Sequence, residues 1–193
     1  KYFKKMKLKL DFVNKVPKQA KDNEIILVKN KANKKIILKS LNKSLFTDKL
    51  FLEKKFSVKN IKDKNYIFVN CTKSRTSLDY EKLGSQLYIF LKNNKIERSF
   101  FTSNSTFLTN VQLEKLLHGA QLKSYEFNVY KTDKTKNEIN NLYIVGDKSK
   151  KSNLLRNKLN ALLEGVFLTR DLVSEPGNVL HPDEYARRIV KLR

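Results

Sequence analysis

The chain has 193 residues, of which 40% are hydrophobic and 31% charged, enough for one sizeable domain with a buried core. No apolar run approaches the roughly 18 residues of a membrane span, and the single Cys71 excludes an internal disulfide and fits a reducing compartment, so a cytoplasmic location is expected. Lys and Arg outnumber Asp and Glu by 41 to 19, a formal net charge of +22; such a charge either serves nonspecific nucleic-acid binding or reflects the compositional drift of an AT-rich coding sequence. The excess of Lys over Arg, and its spread along the whole chain, favours the second reading.

The N-terminal stretch KYFKKMKLKLDF alternates Met6, Leu8, Leu10 and Phe12 with charged or polar residues, a strand pattern over Lys7–Val13 rather than the apolar region of a signal peptide. Further strands are predicted at Glu24–Lys29, Lys35–Ser40, Tyr66–Thr72, Arg98–Thr102 and Leu142–Val145. Between them lie helical periodicities. Asp79–Asn93 gathers Leu83, Leu87 and Phe90 on one face with Leu91 beside them, and Asn110–Lys123 gathers Val111, Leu113, Leu117 and Leu122, with Asn110 as the expected N-cap. A third helix, from about Ser149 to Val173, carries the stripe Leu155, Leu159, Leu162, Leu163, Val166 and Phe167. Strands alternating with helices of this length predict an α/β domain layered on a mixed central sheet.

The pattern then changes. SEPGNVLHP holds Pro176, Gly177 and Pro182, two of only three prolines in the chain, and ends the third helix near Glu175. HPDEYARRIVKLR starts another: Pro182 suits the first turn, and Asp183 and Glu184 suit the positive end of the helix dipole. Tyr185, Ile189 and Leu192 recur at helical spacing, so this helix has an apolar face and little chain left to cover it. A domain boundary is expected there, with residues 175–193 loosely held.

Few residues invite catalysis. His118 sits in a helical Leu-rich stretch and reads as a packed or surface histidine. His181, beside Asp183 and Glu184, could grip a metal weakly, although capping explains the acids. Cys71 ends a predicted core strand and reads as a small buried hydrophobe. No HExxH, paired CxxC, G-x-S-x-G or P-loop occurs, and five glycines, with Gly146–Asp147 only a lone turn signal, leave no phosphate cradle.

The most specific stretch is RDLVSEPGNVLHP. It resembles the signature of the leucyl (cytosol) aminopeptidases, roughly R-D-L-x-N-x-P-x-N-x-x-x-P, through Arg170, Asp171, Leu172, Pro176, Asn178 and Pro182; Ser174, Gly177 and His181 depart from it. Upstream, LHGAQLKSYEFNVYKTDK is similar to a second family segment, G-x-x-L-x-x-Y-x-F-x-x-Y-K-T, through Gly119, Leu122, Tyr125, Phe127, Tyr130, Lys131 and Thr132.

The resemblance implies a three-layer α/β/α, macro-domain-like N-terminal domain over residues 1–148, a long interdomain helix over 149–174, and the start of a catalytic domain over 175–193. It implies a cytoplasmic homo-hexameric parent that removes N-terminal amino acids from peptides with two divalent ions, manganese or zinc. The ligand motifs of those ions lie further along the family's sequence than Arg193. The resemblance therefore assigns this chain no catalytic and no metal-binding residue, and gives the motif residues a structural role in assembly or substrate access; a basic nucleic-acid-binding module is the alternative. Tyr125, Phe127 and Tyr130 alternate with Lys123 and Lys131, which fits base stacking, but packing of a connecting segment is the favoured reading.

Overall fold

The computed structural model describes residues 7–29, 54–102, 107–130, 132, 140–146 and 150–191. Met6, Lys131, Asp147, Leu192 and the predicted strand Lys35–Ser40 lie outside them. Six strands form one sheet: β1 (Leu8–Val13), β2 (Asn23–Val28), β3 (Phe56–Ile61), β4 (Lys64–Asn70), β5 (Arg98–Thr102) and β6 (Asn140–Val145), in the order β1-β6-β5-β2-β4-β3. All neighbours are parallel except β3, which runs antiparallel to β4. The sheet is therefore mixed, in an α/β domain as predicted.

Strand β3 was not expected. It joins β4 through Lys62 and Asp63, with φ of 48° and 63°. Two consecutive left-handed residues make the tight turn whose twist matches paired strands. Asn-Gly is the usual signal for such a turn, and Lys-Asp conceals it.

Alternation along the strands divides the core. Ile25, Leu27, Ile67, Val69, Phe101, Leu142 and Ile144 point into a large cluster with helices α1 (Ser77–Asn93) and α2 (Asn110–Lys123). The intervening Phe100, Tyr143 and Val145 point the other way and meet Ala20, from the short 3-10 turn Lys18–Ala20. Both helices open with reciprocal caps. The Thr76 hydroxyl accepts from Asp79 N–H and the Asp79 carboxylate accepts from Thr76 N–H; Thr109 and Gln112 do the same for α2. Asn110 is thus the first helical residue and not the cap, because Thr109 holds the extended backbone the cap needs.

Helices α1 and α2 meet through glycine. A Cβ on Gly84 would lie 1.8 Å from the Leu116 carbonyl oxygen, and one on Gly119 would lie 2.0 Å from that of Glu81. Backbone therefore packs directly on backbone at both points, which no other residue permits. Helix α3 (Lys150–Ser174) lies against α2 and buries Leu159, Leu163 and Phe167. Its stripe is narrower than predicted, since Leu162 and Val166 stay exposed. Arg156 of α3 reaches the buried Glu114 of α2 at 3.0 Å and stacks over the Phe12 ring of β1 at 3.2 Å. A buried carboxylate held by guanidinium fixes α3 against the sheet domain.

Candidate functional site

Two stretches far apart in sequence meet at the end of α3. After α2, Ser124 caps the helix and the chain runs without regular structure through residues 125–128 into a turn at Val129 and Tyr130, forming a strap. Its anchor is Glu126, whose carboxylate accepts from Lys7 Nζ at 2.6 Å, from Lys92 Nζ and from Asn128 Nδ2 at 2.9 Å. Burial opposes ionisation of Glu126, but these three donors outweigh it and hold the carboxyl down at about 2. The strap is thereby tied to β1 and to the end of α1.

The other side of the strap grips α3. Tyr125 donates its hydroxyl to Asp171 Oδ1 at 2.8 Å, and its ring packs on Phe167 at 5.1 Å between centroids. Arg170 donates to the Leu122 carbonyl at 2.8 Å and sits over the Tyr125 ring at 5.4 Å. Burial first, and then the Asp171 carboxylate, push the Tyr125 phenol up to about 12, so it stays a donor at any physiological pH. Two residues further along the strap, Phe127 packs against Tyr130 at 5.9 Å, and Tyr130 donates to Glu175.

Glu175 passes the connection to the last helix. Pro176 O accepts from Val179 and Leu180 N–H, each at 2.9 Å, closing the turn that follows α3. Helix α4 (Pro182–Val190) then begins with Pro182 in its first turn, and the His181 side chain makes no cap. No residue of α4 is buried, and Tyr185, Ile189 and Val190 are exposed. Arg188 nonetheless reaches back to Glu175 at 3.3 Å and to Glu184 at 3.0 Å. Its guanidinium is the main cause of the lowered Glu184 pKa. The segment predicted to be loose is tied by charge, not by apolar burial.

Of the motif residues, Gly119 sits at the α1–α2 contact, while Tyr125, Phe127, Tyr130, Arg170 and Asp171 converge on the joint. Leu172 is half-buried on α3; Thr132, Pro176, Asn178 and Pro182 are exposed. Glu126, Phe167, Glu175 and Arg188 are joint residues that sequence reasoning missed. Arg188 carried a signal, four residues after Glu184; Glu126 carried none, because its partners come from β1 and α1.

The acids at the joint are each engaged: Asp171 by Tyr125, Glu175 by Tyr130 and Arg188, Glu184 by Arg187 and Arg188. Among the described residues no group of three or more His, Cys, Asp or Glu could hold a metal ion. These residues do not fit a two-metal hydrolytic centre, which needs several convergent carboxylates with open positions. Cys71 lies in the core cluster, where burial pushes its thiol up to about 12 against the opposing field of Lys29; it is no nucleophile at neutral pH. His118 is buried on α2, and its Nδ1 has no hydrogen-bond partner among the described residues. No described helix is long and apolar enough to cross a membrane.

A mixed-sheet α/β domain with a long helix strapped to its side defines the class. No protein-family model matches the sequence. The chain is 44% identical over 77 residues to a probable cytosol aminopeptidase of Methylorubrum populi, covering 38% of this chain and 15% of that protein. It is 34% identical over 112 residues to one from Ehrlichia ruminantium, covering 56% of this chain and 22% of the relative. The fold of a tomato leucine aminopeptidase mutant superposes on 95% of this chain and 41% of that one, with a TM-score of 0.71 at 15% identity. The bottromycin maturation enzyme BotP, in complex with Mn, matches 97% of this chain and 36% of its own with a TM-score of 0.54 at 12% identity. Over part of its length the chain is similar to leucyl (cytosol) aminopeptidases, and it spans no more than about a quarter of the curated relatives it matches.

Proposed function

We propose that this chain is the N-terminal, non-catalytic domain of a leucyl aminopeptidase, an exopeptidase releasing N-terminal amino acids with two divalent ions. Residues 1–148 are the domain, 149–174 the interdomain helix and 175–193 the entry to the catalytic part. The observation that carries this reading is the joint itself. The family-like residues Tyr125, Tyr130, Arg170 and Asp171 spend their polar groups on one another and on Glu175 and Leu122, as residues that set the angle of a connection do. Its role is to position a neighbouring domain, for assembly into a hexamer or for substrate access, in a cytoplasmic enzyme. Manganese or zinc belongs to the catalytic part.

The test is release of p-nitroaniline from leucyl-p-nitroanilide, with manganese or zinc, by the purified chain and by the same chain fused to the remaining length of the Ehrlichia ruminantium relative. The chain alone is expected to be inactive and the fusion active. Metal-dependent turnover by the chain alone, lost in Asp183→Ala, would show that the acids opening α4 are a catalytic centre.

A further inference from the structure

A surface groove of about 390 Å³ lies where the first turns of α1, the end of α2, the strap and α3 come together. Its size falls within the range of small-molecule sites. Two kinds of group line it. Leu78, Leu122 and the Tyr125 ring supply apolar surface, and Lys82, Lys123 and Arg170 supply three cations. Leu78 is 55% exposed, an uncovered leucine beside charged neighbours. The proposed domain role gives Leu78, Lys82 and Lys123 no task.

The negative groups around the groove are occupied. Glu81, the one acid among the described lining residues, pairs with Lys115 at 2.7 Å. The carbonyls closing α2 would repel an anion, but those of Ala120 and Gln121 accept Ser124 N–H, and that of Leu122 accepts from Arg170. Lys82 and Lys123 are exposed, and neither forms a salt bridge among the described residues. Arg170 is held by the Leu122 carbonyl and the Tyr125 ring, which leaves the other N–H groups of its planar fork for a ligand. This set selects by exclusion. An ammonium group meets no free carboxylate, so a zwitterionic amino acid is disfavoured. A purely polar anion leaves Leu78 bare, and a neutral apolar molecule leaves three cations unanswered. A carboxylate on an apolar body answers both, since its two oxygens match the guanidinium fork.

We propose that this groove binds a small organic carboxylate with an apolar body and no ammonium group, of the kind presented by the C-terminal residue of a peptide or by a short acyl chain. Bound there, it touches α1, the strap and α3 at once and braces the joint from the side of the domain. The inference is independent of the peptidase reading, because it concerns binding by this chain alone.

A net charge of +22 attracts any anion somewhat, so the test separates charge from shape. The isotope-labelled chain is titrated by amide NMR with N-acetylleucine, its amide, free leucine, acetate and octanoate. N-acetylleucine is expected to saturate with a Kd of roughly 1–5 mM, as a ligand of about a dozen heavy atoms allows, and to move the signals of Leu78, Lys123 and Tyr125 most. The uncharged amide, zwitterionic leucine and bodiless acetate are each expected to bind at least about fivefold more weakly. Leu78→Ser and Lys123→Gln are each expected to weaken N-acetylleucine about threefold or more, with Arg170 left intact because it holds the joint. Lys18→Gln, by the 3-10 turn on the opposite face of the sheet, is the control and should change little. All three positions are exposed, and circular dichroism verifies that the variants fold. Whichever of N-acetylleucine and octanoate binds more tightly identifies the source, a peptide terminus or an acyl chain. Acetate or free leucine binding as tightly as N-acetylleucine would overturn the proposal. So would unchanged affinity in Leu78→Ser and Lys123→Gln, signal changes spread over the opposite face, or no saturation below about 50 mM.

Discussion

The contact between α1 and α2 and the joint at the end of α3 are both close approaches between segments remote in sequence, built from opposite materials. The first is dry: glycine backbones at Gly84 and Gly119 meet the carbonyls of Leu116 and Glu81, amid buried leucines. The second is polar and half-exposed: Tyr125–Asp171, Tyr130–Glu175 and Arg188–Glu175 hold it, and no residue of α4 is buried. A shape contact tolerates salt and fails when an atom is added. A charged contact tolerates small changes of shape and weakens with salt. The molecule uses the first to hold its core and the second to hold α4 and the turn before it.

The largest expected effect tests the dry contact. In Gly84→Ala, a Cβ would fall 1.8 Å from a backbone oxygen that cannot rotate away, so the helices must part. A destabilisation of about 3 kcal/mol is expected, at the upper end for overpacking and despite alanine's better helix propensity. Urea unfolding measures it. A cost below about 1 kcal/mol would mean that the helix pair slides freely and that the contrast with the joint is wrong.

A smaller effect comes from His118, the polar group buried within the same helix layer. Burial lowers its pKa; Glu81 opposes the shift and Lys115 reinforces it. The folded state therefore prefers neutral imidazole, while the unfolded chain takes up its proton near the ordinary value of about 6.5. Stability is complete above that pH. It falls as the pH drops below it and stops falling through this group once the lower, folded pKa is passed. Thermal unfolding between pH 7.5 and 5 should show the loss, and His118→Gln should flatten that part of the profile. An unchanged profile in the variant would place the pH sensitivity elsewhere.

The smallest global effect belongs to the joint. Arg188→Ala removes ion pairs to Glu175 and Glu184 in a helix with no buried residue. The expected cost to global unfolding is under about 1 kcal/mol. Locally the change is larger: hydrogen exchange over residues 182–190 and proteolytic cleavage at 175–181 should quicken several-fold. High salt should produce the same acceleration in the unmodified chain and leave the α1–α2 contact unaffected. Arg187→Ala, which removes only the pair to Glu184 at 3.3 Å, serves as the control. Equal protection in Arg188→Ala and the unmodified chain would show that something other than charge holds α4.

Much of this architecture was legible in sequence because it is local. Period-two alternation in Lys7–Val13, the short apolar run Leu142–Val145 and helical spacing in residues 79–93 and 110–123 express where each element is apolar, and that is written in neighbouring residues. The Pro176 turn and the first turn of α4 were legible for the same reason, since proline constrains its own backbone. The motif residues Tyr125, Tyr130, Arg170 and Asp171 stood out only as resemblances. Their spacing of some forty residues says nothing of who meets whom. Tertiary structure decided that, by laying the strap along α3 so that each phenol reaches a carboxylate. It also decided the α1–α2 glycine contact, the anchoring of Glu126 by Lys7 and Lys92, and the β3–β4 turn that Lys62 and Asp63 disguise. Each depends on a partner from another element, and a one-dimensional pattern records what a residue prefers, not what the fold brings within reach of it.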